Sequence, residues 1–121
     1  MALILVVDDE AEIQALLADM LSLDGHEVDT ASDGEQALLL LDQHHYDLIV
    51  TDLWMPALDG PALYQALRER YGATIPRVIF MTAYPGKTEF ARFLADTGEP
   101  VLIKPFSPAQ ILQLAQQVLE T

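Results

Sequence analysis

The sequence predicts an α/β fold, a doubly wound parallel sheet of five strands flanked by five helices. Two observations carry that expectation. Short strand-like runs alternate with stretches of helical periodicity throughout the 121 residues. In addition, the residues best suited to chemistry (Asp8, Asp9, Asp52, Thr82 and Lys104) stand at the ends of such runs, where open parallel sheets bind their ligands.

Leu3 to Val7 is a continuous apolar run, as expected of a strand covered on both faces. A helix follows from about Ala11 to Leu23, with Ile13, Leu16, Leu17, Met20 and Leu21 on one stripe and Gly25 placed to end it. Glu27 to Ala31 alternates weakly and reads as the second strand. Ser32, with Glu35 three residues on, resembles a capping box opening a helix through Leu41. Leu48 to Thr51 is the third strand, and Asp59 with Pro61 opens a helix to about Arg70. Val78 to Met81 is the fourth strand. A poorer helix, roughly Thr88 to Asp96, lies between Pro85-Gly86 and the Thr97, Gly98, Pro100 group that cuts it short. Val101 to Ile103 is the fifth strand. Ser107 and Pro108, as N-cap and first helical residue, start the last helix, which carries Ile111, Ala115, Val118 and Leu119.

The length suits one domain, and an apolar share of 51% is enough for a core of its own. With no composition shift, linker or repeat, residues 1–121 read as a single domain without an output domain. Nineteen acidic residues face six basic ones, for a formal charge of −13. That field opposes phosphate backbones, so direct nucleic-acid binding is not expected. It does suit a partner with a basic docking face. The absence of cysteine excludes a disulfide framework and a thiolate metal site. No apolar stretch is long enough to span a bilayer, and the N-terminus reads as a strand instead of a signal peptide, so the expected location is the cytoplasm.

Asp8 and Asp9 end the first run, Asp52 the third, Thr82 the fourth and Lys104, followed by Pro105, the fifth. Taken singly, an aspartate at a strand end often caps a helix or begins a turn. Three of them together with a lysine suggest a divalent cation and a phosphoryl group. Hard cations prefer oxygen ligands, and Mg²⁺ keeps several waters beside one or two carboxylates. Crowded carboxylates do not all ionise comfortably without a cation. Asp52 could then attack phosphorus to give an acyl phosphate. Lys104 would supply positive charge to the equatorial oxygens, and the Thr82 hydroxyl a hydrogen bond.

These residues resemble those of the response-regulator receiver domain. The resemblance rests on Val6-Val7-Asp8-Asp9-Glu10, on Asp47 through Pro56, on Asp59-Gly60, on Met81-Thr82-Ala83 and on Lys104-Pro105-Phe106. It covers essentially the whole chain. It implies a flavodoxin-like sheet of strand order 2-1-3-4-5 and a role in two-component signalling or a phosphorelay. Asp52 would be the phosphorylated aspartate. Asp9, Asp52 and the backbone carbonyl of Trp54 would ligate Mg²⁺ directly, and Asp8 would act through a metal-bound water. Lys104 would pair with Asp52 and then with the phosphoryl group, while Thr82 and the backbone N–H of Ala83 would hold its oxygens. The donor would be a phosphohistidine on a histidine kinase or a histidine phosphotransfer protein. Such a module catalyses only its own phosphorylation and dephosphorylation. The resemblance also implies a cis Lys104–Pro105 bond, and a partner face, open to homodimerisation, formed by the fourth helix, fifth strand and fifth helix.

The chain departs from that pattern at Val101, where the family usually carries an aromatic ring that rotates when the threonine moves. Valine has no ring to swing, so the switch is expected to run instead through the loop from Ala83 to Thr88 or through Phe106. The short fourth helix, with Phe90, Phe93 and Leu94 as its apolar anchors, could reposition at low cost. Trp54 and Tyr84, two residues past Asp52 and Thr82, could obstruct an attacking water and prolong the acyl phosphate. His26, His44 and His45 have no third ligand at useful spacing. The Leu38 to Leu41 run reads as core, and Arg68, Arg70, Arg77 and Arg92 as solvated charges. Two rivals remain. One is a phosphatase of the haloacid-dehalogenase type, which also combines an aspartate nucleophile with Mg²⁺ but spaces its aspartates differently. The other is a receiver-like adaptor that never takes phosphate.

Overall fold

The computed structural model describes residues 1–83 and 88–120, the side chains of 88 and 89 excepted. Five strands, β1 (Leu3–Val7), β2 (Glu27–Ala31), β3 (Leu48–Asp52), β4 (Arg77–Thr82) and β5 (Val101–Ile103), form one parallel sheet in the order β2-β1-β3-β4-β5. The helices are α1 (Ala11–Leu23), α2 (Gly34–Gln43), α3 (Gly60–Tyr71), α4 (Thr88–Thr97) and α5 (Pro108–Glu120). The fold is therefore the doubly wound one that the alternation of runs predicts, in the flavodoxin-like strand order that the resemblance implies. A 3₁₀ turn at Gly72–Thr74 was not anticipated.

Because side chains alternate across a strand, the central strands feed two cores. Ile4, Val6, Leu48, Val50, Ile79 and Met81 pack with Leu17, Leu21 and Ile111 of α1 and α5. Leu5, Val7, Ile49 and Phe80 pack on the other side with Ala37, Leu63, Leu67 and Phe90 of α2, α3 and α4. This two-sided burial is the physical reason the strands read as unbroken apolar runs.

Local chemistry sets the helix ends. Past α1, Gly25 has φ +93°, its N–H donates to Ser22 O, and the His26 N–H donates to Leu21 O, which is a Schellman closure. At α2 the cap is Asp33 and not Ser32. Asp33 Oδ1 accepts from Gln36 N at 2.8 Å, while Gln36 Oε1 accepts from Ser32 N at 3.0 Å. The box is thus displaced by one residue from the Ser32–Glu35 expectation. Ser32 Oγ instead faces Gln14 Nε2 at 3.3 Å. Asp59 caps α3 through Ala62 N. Ser107 and Gln110 cap α5 reciprocally, with Pro108 as its first residue.

One expectation holds in part and one needs correction. Within the Leu38–Leu41 run, Leu41 is buried and Leu38 and Leu40 pack half-buried against the same core, while Leu39 is 64% exposed, because a helix against a sheet buries one stripe and not four consecutive positions. Arg70 is not a lone solvated charge. Its guanidinium reaches from α3 to the Asp42 carboxylate and to Leu38 O at 3.4 Å on α2.

Candidate functional site

The strand order places the topological switch point between β1 and β3, since the chain leaves β1 to one side and returns on the other. The last paired residues there are Val7 and Thr51. One residue further on come Asp8 and Asp52, side by side at the carboxyl edge. On β4, Asp52 pairs with Met81, so Thr82 stands one residue beyond. Thr82 pairs with Ile103, and the Lys104 N–H donates to Thr82 O at 2.9 Å. Register alone therefore brings four of the five chemistry-bearing residues together. The Lys104–Pro105 peptide is cis.

The centre of the site is Lys104. Its Nζ donates to Asp8 Oδ2 at 2.9 Å and to Asp52 Oδ2 at 3.3 Å, with Glu10 Oε1 at 3.7 Å. Asp8 is fully buried and Asp52 is 7% exposed, so each needs a cationic or hydrogen-bonding partner. Asp8 uses its other oxygen to accept from Glu10 N at 2.8 Å, which turns the chain into α1. Asp52 Oδ1 accepts a longer bond, 3.4 Å, from Trp54 N. The lysine is thus shared, and its shorter contact is to Asp8, whereas the sequence drew attention to its pairing with Asp52.

Burial pushes the Asp52 carboxyl up to about 6, from an ordinary value of 3.8. The Lys104 charge pulls it back, the Asp8 charge adds to the rise, and the hydrogen bonds from Lys104 and Trp54 oppose it. Burial alone would lower the Lys104 ammonium, but the bond to Asp8 and the charges of Asp52 and Asp8 outweigh that and raise it. The lysine therefore stays protonated at neutral pH, next to a carboxylate that remains mostly ionised and is poorly solvated. Poor solvation favours reaction at an electrophile.

Carboxylate oxygens of Asp8, Asp9 and Glu10 lie within 4.8 Å of one another. Such hard oxygen donors suit Mg²⁺ or a similar cation. Asp52 is outside that grouping, although it joins Asp8 through Lys104. Glu10 is the acidic group that sequence reasoning did not single out, and its direct adjacency to Asp8 and Asp9 was the available signal. Thr82 is buried and Ala83 is exposed at the end of β4. Tyr84, like most of the loop from Ala83 to Thr88 considered as a switch route, lies outside the described residues. His26, His44 and His45 are remote from the cluster. His26 Nδ1 accepts from Ala2 N, and the other two rings stack edge-on against Tyr46 and Tyr71.

Gly60 packs closely against the end of β3 from behind. A Cβ there would sit 2.9 Å from Asp52 O and from Leu53 Cα. Only a glycine permits that approach, and the Gly60 N–H donates to Leu53 O at 3.1 Å. Between these elements the chain makes a tight turn. The Leu58 N–H donates to Pro56 O at 2.8 Å across Ala57, whose φ is 67°. A non-glycine residue in that region is strained.

Comparison with known proteins gives a consistent picture. The model of the response regulator receiver domain matches residues 4–116. A probable transcriptional regulator ycf27 from Porphyridium aerugineum is 38% identical over 116 residues, covering 96% of this chain and 47% of the relative. The transcriptional regulatory protein ResD of Bacillus subtilis is 33% identical, with the same coverage of 96% and 47%. The chain thus spans somewhat less than half the length of these curated relatives. Among solved structures, the chemotaxis response regulator CheY4 of Vibrio cholerae superposes with a TM-score of 0.88 at 30% identity, over 98% of both chains. The response regulator TrrA of Thermotoga maritima, solved in complex with Mg²⁺ and BeF, gives 0.82 at 29% identity, over 98% and 99%.

Proposed function

The chain belongs to the response-regulator receiver domain family, and from that premise we propose that it is a phosphoacceptor switch or relay in which Asp52 takes the phosphoryl group. The observation that carries the reading is Lys104 Nζ bridging the buried Asp8 and Asp52 carboxylates at the switch point of the sheet. The donor is a phosphohistidine on a histidine kinase or phosphotransfer protein. An Asp52 oxygen attacks phosphorus, the P–O bond forms as the P–N bond breaks, and the leaving imidazole takes a proton from solvent. Asp9, Asp52 and the Trp54 carbonyl, with Asp8 through a water, would hold Mg²⁺, which supplies positive charge against the phosphoryl oxygens. The Lys104 ammonium stays in place and exchanges part of its contact with Asp52 for a phosphoryl oxygen. The Thr82 hydroxyl and the Ala83 N–H donate to the others.

Transmission would then reach partners through the face of α4, β5 and α5, where a second copy could also dock. The excess of acidic side chains sets these residues against a nucleic-acid backbone. A link to transcription, which the names of the relatives carry for those proteins, would run through a partner or a longer chain. Among the described residues, no helix is long and apolar enough to cross a membrane. A cytoplasmic location fits the proposed donor.

Incubation with acetyl phosphate and Mg²⁺, followed by intact mass and hydrodynamic size, tests the reading. Labelling should stop at one phosphoryl group per chain and vanish in Asp52→Asn. Sustained turnover of a phosphomonoester without labelling would instead support the phosphatase alternative, and an unlabelled wild type the adaptor.

A further inference from the structure

Trp54 touches both the acceptor and a helix that carries no chemistry. Its backbone N–H faces Asp52 Oδ1 at 3.4 Å. The residue is 42% exposed, and its ring packs edge-on against Phe90 of α4, with centroids 4.7 Å apart and planes at 83°. Phe93, one turn on, meets Tyr64 of α3 and Phe80 of β4 instead, at 5.7 and 5.3 Å. The two aromatic anchors of α4 are therefore unlike. Both reach the core, where Phe90 is buried and Phe93 half-buried, but Phe90 also carries the ring of a loop residue two positions from Asp52. On β5, Val101 has no ring to offer.

We propose that the Trp54–Phe90 contact couples the state of Asp52 to the position of α4. The inference rests on the phosphoacceptor reading above. A phosphoryl group on Asp52 adds about −1.5 to −2 charge and three oxygens beside the Trp54 N–H. The short segment from Asp52 to Trp54 must adjust to that change, and the indole moves with its backbone. Edge-to-face pairs hold a preferred geometry, so displacement of the indole biases where Phe90, and with it α4, comes to rest. Phe90 is here a positioning residue, not a catalytic one.

Trp54 is the sole tryptophan, so its emission reports the near side of the contact, and amide hydrogen exchange over residues 90–97 reports the far side. The full chain is measured with and without beryllium fluoride and Mg²⁺, as wild type, Phe90→Leu and Phe93→Leu. Acetyl phosphate labelling of each is followed in parallel, and exchange in β1 and β3 checks that each variant is folded. Wild type should show both signals. Phe90→Leu should label normally and keep the emission change, while its α4 response falls about three- to ten-fold, the span expected from losing one aromatic pair from a two-state coupling. Phe93→Leu should keep both signals. An undiminished α4 response in Phe90→Leu, or an equal loss in both variants, overturns the coupling and leaves the phosphoacceptor reading standing. A wild type that takes no phosphoryl group overturns both.

Discussion

The carboxyl edge of the sheet and the α4 side of the molecule are built to different standards. At the edge, Asp8 is held by Lys104 and by Glu10 N, Asp52 by Lys104 and Trp54 N, and Lys104 by Thr82 O as well as by its charges. Asp52 and Thr82 are the last paired residues of their strands, and Asp8 and Lys104 lie one residue past a pair, so their spacing is inherited from the backbone ladder. By contrast α4 meets the core through the long side chains Phe90, Phe93 and Leu94. Phosphoryl transfer depends on charges that are in place before the donor arrives. Transmission depends on an element that has somewhere else to go at low cost. On the proposed function, the contrast teaches that one small domain keeps these demands apart by assigning them to different kinds of contact.

The comparison can be broken most forcefully at Lys104. Lys104→Gln strands two buried carboxylates, and the expected loss is about 3–5 kcal/mol in urea unfolding at neutral pH. An unchanged midpoint would mean that the edge is not held by this lysine. A milder probe is pH. Asp52 titrates near 6 when folded against an ordinary 3.8, so the native state binds its proton more tightly than the unfolded chain does. Its contribution is present at low pH and is lost as pH rises through this window. Without Mg²⁺, the stability of Asp52→Asn relative to wild type should therefore grow by roughly 2–3 kcal/mol between pH 4 and pH 7. Added Mg²⁺ should stabilise wild type more than the variant.

Behind Asp52, Gly60→Ala forces a methyl against the Asp52 and Leu53 backbone, at an expected cost of about 1–3 kcal/mol. The smallest effect is expected at Ala57, whose φ of 67° glycine adopts freely. Ala57→Gly should stabilise by about 1 kcal/mol by thermal unfolding, less if the added freedom of the unfolded chain offsets the relief. A loss there would show that the turn is held by the methyl group and not despite it.

The sheet and most helix boundaries were legible because their causes are local. Buried parallel strands must be apolar, and Asp59, Ser107, Pro108 and Gly25 act within one turn of themselves. The shift of the α2 cap from Ser32 to Asp33 was not legible, since both residues can cap and the choice depends on Gln36 and on Gln14 in another helix. At the site, residue types and strand ends pointed to Asp8, Asp9, Asp52, Thr82 and Lys104. The sharing of Lys104 between two aspartates, and the third carboxylate from Glu10, required the geometry of the loops. The Trp54–Phe90 contact joins residues far apart in sequence, and no local pattern encodes it.

The most direct measurement locates the phosphoryl group itself. After labelling with acetyl phosphate and Mg²⁺, borohydride reduces an aspartyl phosphate to homoserine, and peptide sequencing by mass spectrometry reads its position. Homoserine at position 52 alone is the expected result. Homoserine at position 8 or 9, or at none, would contradict the assignment of Asp52 as the acceptor.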